Sequence, residues 1–268
     1  MKNLPNIKQL YSAYINVKED ENRKERYVGN EKWFHGSGSG LCHRKHYFQT
    51  SKTEISNPKD NKTHRLLRLG SLFHQEIEDC LNMFLNIKKK KSNRYSIYNT
   101  MYKSVIDGFK SIKDIYVEGE ITLPSLNVRG FYDFVVEMTS GEIYLYDVKT
   151  MNVGSWYWQF GKSRTDNEPS FNPPSEHHQL QLATYGMAVK HQFGRLDGMF
   201  LIMYNKDKSL MEQKEVSLSR THDAKDYWIY VNLEVDTTGR PPIFNQNSPM
   251  QKWECKWCEY KDHCFALN

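Results

Sequence analysis

The chain has no long hydrophobic run, although it contains 268 residues. A membrane-spanning helix needs about 20 consecutive apolar residues, so no such helix is predicted. The first residues, MKNLPNIKQLYSAYINVKEDENRKER, also lack the apolar core of a secretion signal. We therefore expect a cytoplasmic protein.

A strong excess of one charge is also missing. The 37 basic and 32 acidic residues leave a formal net charge of +5, with a sequence pI near 8.7. This mild basic excess is compatible with nucleic-acid binding without indicating it. The dense basic run IKKKKSNR, at 87–94, is either a solvated loop or a phosphate contact. With 38% hydrophobic residues, the composition is that of a folded domain rather than a disordered chain.

Cysteine is scarce and odd in number, which argues against a disulfide framework in a cytosolic chain. The five residues are Cys42, Cys80, Cys255, Cys258 and Cys264. The last three form the pattern C-x₂-C-x₅-C, and such clustering indicates a metal site. Three thiolates leave one tetrahedral position of zinc open, which His263 or a distant residue could fill. A 4Fe–4S cluster requires four cysteines.

Hydrophobic periodicity predicts helices in the first part of the chain and a mixture of strands and helices afterwards. The predicted helices are 1–30, one from about Leu41, 64–87, 99–113, 175–193 and 221–234. The predicted strands are 116–123, 128–137, 142–150, 199–205 and 214–219, with a hairpin turn at 138–141. The Gly/Ser-rich stretch after Phe34 is predicted to be a flexible loop, and the residues 161–175 are a further predicted loop. This order indicates an α/β fold with a mixed sheet flanked by helices.

The stretch LYDVKT, at 145–150, places an acid and a base two residues apart on one face of a predicted strand. Asp133 lies at a similar height on the neighbouring strand of the hairpin. Two carboxylates on one face form a hard-oxygen site for Mg²⁺ or Mn²⁺, to which the backbone carbonyl of Val148 could contribute. Lys149 could hold or deprotonate a water that attacks a phosphodiester, beside the carboxylate of Asp147.

These residues resemble the motifs of a known nuclease family. The pattern G-x-x-D, from Gly130 to Asp133, is followed by D-x-K, from Asp147 to Lys149. Together they resemble the PD-(D/E)xK nuclease superfamily, whose fold is a restriction-endonuclease-like mixed central sheet flanked by helices. The resemblance implies this fold here, with an N-terminal helical region and a C-terminal lobe that contains the cysteine cluster.

Two further motifs resemble the RecB-type nucleases of this superfamily. GSLFH, at 70–74, is similar to their G-x-x-x-H motif, whose histidine binds metal, and Gln181 and Tyr185 match their Q-x-x-x-Y motif. The resemblance implies catalytic roles for Asp133, Asp147, Lys149, Gln181 and Tyr185, and metal ligation by His74, Asp133, Asp147 and the carbonyl of Val148. Glu120 is a further candidate ligand, with a solvated strand carboxylate as the alternative.

The segment LCHRKHYF, which contains Cys42, resembles the N-terminal segment of the iron–sulfur branch of the RecB-type nucleases. This branch includes the CRISPR-adaptation exonucleases, the AddB-type helicase–nucleases and the eukaryotic replication nuclease–helicases. The resemblance implies a structural 4Fe–4S cluster, with zinc as the alternative, on Cys42, Cys255, Cys258 and Cys264. Cys80 is then left as a core thiol.

The resemblance spans roughly residues 40–265 and implies a metal-dependent DNA exonuclease. Such an enzyme would hydrolyse phosphodiester bonds at single-stranded ends in recombination, repair or replication. The alternatives are a catalytically weak DNA-binding or recombination subunit, and a zinc-stapled, structure-specific endonuclease. A P-loop, G-x-x-x-x-G-K-[ST], is missing, which indicates a stand-alone nuclease rather than an ATP-driven machine.

The expected domains are an N-terminal helical extension, 1–33, and a single nuclease domain, 34–268. The expected partner is DNA, single-stranded or with duplex ends, in the cytoplasm of a bacterium or of a virus-infected host cell. A homo-oligomer or a replication or recombination protein could be a further partner. Candidate DNA contacts are the basic and aromatic residues Arg129, Trp156, Trp158, Lys162 and Arg164. The tryptophans have core packing as their alternative.

Overall fold

The computed structural model describes residues 6–26, 33–90, 110–161, 172–236 and 253–267. Among these residues, six strands form one mixed sheet: β1 (Phe34–His35), β2 (Ile112–Leu123), β3 (Val128–Met138), β4 (Ile143–Met151), β5 (Gly198–Asn205) and β6 (Leu210–Val216). The described helices are α1 (Ile7–Arg26), α2 (His43–Thr50), α3 (Asn61–Lys90), α4 (Val153–Phe160), α5 (Glu176–Phe193), α6 (Arg220–Asp236), α7 (Trp253–Trp257) and α8 (Lys261–Ala266). The predicted α/β fold, a mixed sheet flanked by helices, is confirmed.

Strand β3 has one neighbour on its first edge and two neighbours on its second edge. On the first edge, β2 pairs antiparallel along the whole length of β3. On the opposite edge, β1 pairs with Val128 and Arg129, whereas β4 pairs only with the residues from Phe134 to Glu137. We call the opening between β1 and β4, beside residues 130–133, the fork. Beyond β4, β5 is parallel and β6 is antiparallel, so the sheet continues away from the fork.

Helices cover both faces of the sheet. Leu182 and Val189 of α5 pack in one fully buried cluster with Leu145 and Leu201 of the strands. In a second cluster, Phe73 and other apolar residues of α3 pack beside buried strand residues on the sheet, Phe134, Val136 and Val148. The sheet and the two helices therefore hold the fork between α3 and α5.

The Gly/Ser-rich stretch is not the flexible loop that was predicted. Gly36–Gly38 form a 3₁₀ turn, and two of its three residues, Gly36 and Gly38, are buried. A Cβ on Gly36 would lie 2.5 Å from Tyr185 Cε1, and one on Gly38 would lie 2.6 Å from His46 Cε1. Glycine is needed here because other parts of the chain approach the backbone closely. The glycines thus indicate close packing rather than mobility.

Other boundaries differ from the prediction at the ends of elements. The predicted helix 99–113 lies largely outside the described residues, and its last two residues, 112–113, begin β2. The predicted strand 214–219 begins and ends earlier, as β6, and most of the predicted loop 161–175 is outside the described residues.

In the N-terminal extension, α1 packs against α3 and buries Ile15. Over the described part of the chain, every helix is too short or too polar to cross a membrane.

Candidate active site

Helix α3 brings His74 to the fork because it crosses β4 closely at Gly70. A Cβ on Gly70 would lie 3.1 Å from the Thr150 Oγ1 atom, which leaves little room for a larger residue. His74 follows one helical turn later on the same face. Its Nδ1 atom lies 3.5 Å from the Asp133 Oδ2 atom. The two residues of the G-x-x-x-H pattern thus have separate roles: Gly70 lets α3 lie close to β4, and His74 places its imidazole beside Asp133.

Asp133 lies where β3 and β4 separate. The last pair of the β3–β4 ladder is Phe134 with Tyr146, so Asp133 and Asp147 lie one step beyond it. Beyond the end of this ladder, the Val148 backbone N–H donates to the Asp133 side chain, at 2.5 Å from Oδ2. The N–H and C=O of one strand residue point to the same edge, so the Val148 carbonyl also faces the fork.

Three side chains converge there with atoms that can bind a metal. The ligand atoms of His74, Glu118 and Asp133 all lie within 4.8 Å of one another. Glu118 lies across from Asp133, because Val117 pairs with Phe134 on one side of it and Gly119 with Tyr132 on the other. One imidazole nitrogen and two carboxylates are a donor set that suits Mn²⁺, and carboxylates suit Mg²⁺.

Glu118 was missed by the sequence analysis, which proposed Glu120. Glu120 lies across from Phe131, farther along β2, and it is outside the group of three. Glu118 has a positive φ of 48°, which interrupts the regular strand. The only sequence signal is the neighbouring Gly119, a residue that often marks an irregularity in a strand.

The second carboxylate of the pattern, Asp147, is buried and held by charged and polar neighbours. The Lys149 Nζ atom lies 2.5 Å from Asp147 Oδ2. From α5, the Gln181 side chain donates to Asp147 Oδ1 at 3.4 Å and to the Tyr185 hydroxyl at 3.2 Å. The structure thus brings together all five residues that the sequence proposes as catalytic, on β3, β4 and α5.

The carboxylates at the fork influence one another electrostatically. Burial raises the pKa of Asp147 to about 6, with a further contribution from Asp133, although Lys149 opposes the shift. Burial and the nearby Asp133 and Glu78 raise the pKa of Glu118 to about 7. For Asp133, burial favours a higher pKa, but the His74 hydrogen bond and the Lys149 charge outweigh it and lower the pKa. A bound cation would relieve this crowding of carboxylates.

The four cysteines proposed as cluster ligands line one cavity, although they come from distant segments. Cys42 precedes α2, and the other three lie in the α7–α8 region. Arg44 donates to the Cys264 Sγ atom at 3.2 Å, and burial raises the pKa of Cys42 to about 11. The His263 Nε2 atom forms a hydrogen bond with the Glu54 carbonyl at 2.9 Å.

The fifth cysteine, Cys80, is exposed on α3, so its prediction as a core thiol is wrong.

The candidate DNA contacts have different environments. Trp156 is fully buried in the main core and cannot stack on a base, so that prediction is wrong. Trp158, on the other side of α4, is 62% exposed. Arg129 is half-buried on β3, across from His35. Lys162 and Arg164 lie outside the described residues.

Some solved structures are similar to this chain at low sequence identity. The protein SSO0001 is 16% identical with a TM-score of 0.50, over 96% of this chain and 97% of its own. A candidate exonuclease from Eubacterium rectale is 13% identical with a TM-score of 0.49, over 91% and 92% of the two chains. An alkaline exonuclease from Laribacter hongkongensis is 13% identical with a TM-score of 0.33, over 53% and 66%.

One protein-family model matches most of the chain. No protein of curated function matches the sequence significantly. The family model of the PD-(D/E)XK nuclease superfamily matches residues 85–265, which is more than half of the chain. This range includes Asp133, Asp147 and Lys149 at the fork, together with Gln181 and Tyr185. The chain therefore belongs to the PD-(D/E)XK nuclease superfamily.

Proposed function

We propose that this nuclease is a metal-dependent DNA exonuclease of RecB type that hydrolyses phosphodiester bonds at single-stranded ends. The observation that carries the proposal is the convergence of His74, Glu118 and Asp133 within 4.8 Å, at the same fork as the Asp147–Lys149 pair. This combination provides ligands for a cation beside an amine that can reach an attacking water. We extend the proposal to a role in recombination, repair or replication.

The donor atoms at the fork fit a divalent cation. His74, Glu118 and Asp133 would hold it, with Asp147 and the Val148 carbonyl as further ligands. A bound Mg²⁺ or Mn²⁺ would polarise the phosphate and lower the pKa of a bound water. The raised pKa values of Asp147 and Glu118 reflect negative charge that the site holds at a cost without a cation.

The side chains around the cation site have separate roles in this proposal. Lys149 holds the water whose oxygen attacks phosphorus, and its charge offsets the negative charge that develops on the phosphate. Gln181 fixes the orientation of Asp147 through its amide hydrogen bond, and Tyr185 in turn accepts from Gln181. Because Asp147 and Tyr185 are buried, this arrangement is held rigidly.

A 4Fe–4S cluster on Cys42, Cys255, Cys258 and Cys264 is a further part of the proposal. Four cysteines line one cavity, which is the number that such a cluster requires. Arg44, Lys45 and Lys261 line the same cavity and would offset the negative charge of the thiolates. The cluster would join the segment before α2 to the end of the chain, and such a long closed loop strongly restricts the unfolded chain.

This arrangement also supports the domain division proposed from the sequence. A link between Cys42 and the α7–α8 region would make residues 34–268 one nuclease domain, to which α1 of the extension 1–33 is attached by its packing on α3. DNA is the partner in this proposal, and a homo-oligomer or a replication or recombination protein is a further one.

The test is digestion of DNA that is labelled at the 5′ or the 3′ end, single-stranded or duplex, with Mg²⁺ or Mn²⁺. We expect release of short products from single-stranded ends, which Asp147→Ala abolishes. Cleavage of circular single strands would show an endonuclease instead. Binding of DNA without any cleavage in either metal would support a binding subunit and would contradict the proposal.

A further inference from the structure

A groove of about 590 Å³ opens between α3 and the end of the sheet, and it leads to His74 and Glu118. Leu66, Leu67 and Ser71 of α3 form one wall, and Lys206 lies on the other. The groove is therefore continuous with the cation site, although none of the motifs in the sequence includes its leucines or its lysine.

The groove combines two leucines on α3 with polar and charged side chains, which include Glu78 of α3 and Glu118 of β2. On α3, the neighbouring residues Leu66 and Leu67 are 44% and 48% exposed, and both line the groove. The opposite wall is polar, with Thr150 near the end of β4 and Lys206 directly after β5. The Lys206 backbone N–H donates to the Met151 carbonyl at 3.1 Å, which fixes the turn that carries its side chain.

Lys206 lies at the functional end of the sheet. Strands β4 and β5 are parallel, with Lys149 paired to Met203 and Met151 to Asn205. Lys149 and Lys206 thus both lie toward the carboxyl ends of these strands, where ligands bind in open α/β sheets. Lys206, His74 and Glu118 line the same groove, so one ligand could contact both Lys206 and the cation site.

We propose that this groove binds the unpaired strand next to the scissile phosphate, with Leu66 and Leu67 against a base and Lys206 at a backbone phosphate. The inference rests on the proposed nuclease function and adds the place where its single-stranded substrate binds. A single strand offers an apolar base face and a phosphate at once, which suits the leucine pair and Lys206. A duplex stacks its bases inside, so the leucines would have no apolar partner. The volume of the groove is also that of a pocket for a small ligand rather than for a double helix.

The lysine is tested by the affinity for a fluorescent oligothymidylate, measured by anisotropy at several salt concentrations without divalent cations. Lys206→Ala should weaken binding and reduce the slope of log K against log [salt] by about 0.7, as expected when one phosphate contact to a single strand is lost. Lys208→Ala is the matched control, because Lys208 is exposed in the same turn but does not line the groove. It should change neither quantity as much.

The leucine wall has its own matched pair of variants. Leu66→Ser/Leu67→Ser should weaken binding by about fivefold, since it removes the apolar contact with a base. The salt slope should stay unchanged. Leu69→Ser/Leu72→Ser is the control on the same helix, at 50% and 47% exposure and outside the groove. The Leu66→Ser/Leu67→Ser variant and the Leu69→Ser/Leu72→Ser variant should bind a blunt duplex with the same affinity.

The groove assignment is wrong if Lys206→Ala matches Lys208→Ala and the two leucine pairs also match each other. That result can coexist with full cleavage by the wild-type protein, so it overturns the groove and leaves the nuclease proposal standing. Conversely, a wild-type protein that cuts no DNA but shows these binding differences would overturn the proposed exonuclease activity alone.

Discussion

The carboxylate of Asp133 accepts a hydrogen bond from the backbone N–H of Val148 at 2.5 Å, where β3 and β4 separate. The same oxygen lies 3.5 Å from His74 of α3. One side chain thus replaces a lost ladder bond and also joins a helix to two strands. These contacts of Asp133 hold the residues at the fork in place, although the β3–β4 ladder ends there.

Glu118→Gln should weaken Mn²⁺ binding on the order of tenfold or more, because it removes one charged oxygen from the group of three. Calorimetric titration with Mn²⁺ measures this. Glu120→Gln is the control, since Glu120 is an exposed glutamate two residues along the same strand. Equal affinities for the two variants would show that Glu118 is not a ligand.

Metal affinity should rise with pH between about 5 and 8, because protons compete with the cation for carboxylates. The pKa values of about 6 for Asp147 and about 7 for Glu118 place most of this change at pH 6–7. Both pKa values are raised in the folded state, so the stability that these groups contribute without metal is present at low pH. It is lost as the pH rises through these values, and Mn²⁺ should restore it.

Thermal unfolding of the metal-free protein at pH values across this range, with and without Mn²⁺, measures both effects. The increase in melting temperature on adding Mn²⁺ should be larger above pH 7 than below pH 6. A larger increase at the lower pH would contradict the assignment of these carboxylates to the cation site.

Gly36→Ala should destabilise the protein by about 1–3 kcal/mol, the usual cost of overpacking a core. Its Cβ would lie 2.5 Å from the Tyr185 ring, so the tyrosine or the turn must move. Denaturant unfolding measures the loss. Ser37→Ala, at the exposed neighbouring position, should change the free energy of unfolding by less than about 0.5 kcal/mol. A similar effect of both variants would show that the close contact is unimportant.

Cys42→Ser should abolish incorporation of the iron–sulfur cluster, whereas Cys80→Ser should not. Only Cys42 lines the cavity with the three C-terminal cysteines, and Cys80 is exposed on α3. Iron, sulfide and zinc contents of protein purified without oxygen measure this. About four irons and four sulfides per chain are expected for a 4Fe–4S cluster. One zinc and no iron would favour the alternative.

Parts of the site followed from the sequence because local rules determine them. The short turn between β3 and β4 fixes their antiparallel register, and this register puts Asp133 and Asp147 at equal height. The spacing of four residues puts Gln181 and Tyr185 on one face of α5, where they form a hydrogen bond. These features depend only on residues close in the chain.

Other parts depend on contacts between distant residues. Glu118 joins the site through an irregular backbone that the alternation of β2 does not predict. Gly36 is buried because Tyr185, far along the chain, packs on it. Trp156 and Trp158 were grouped as DNA contacts, yet residues two apart on a helix point to nearly opposite sides. The buried position of Trp156 and the exposed position of Trp158 follow from α4, which the sequence analysis missed.

The most direct test of the account compares Lys149→Ala with the wild-type protein on end-labelled single-stranded DNA in Mn²⁺. Lys149 lies 2.5 Å from Asp147 but is outside the group of three ligands. Mn²⁺ binding should persist, while the cleavage rate should fall by about 10²–10⁴-fold, as for loss of a group that assists the attacking water. Cleavage at the wild-type rate by Lys149→Ala would contradict the assignment of the fork as the active site.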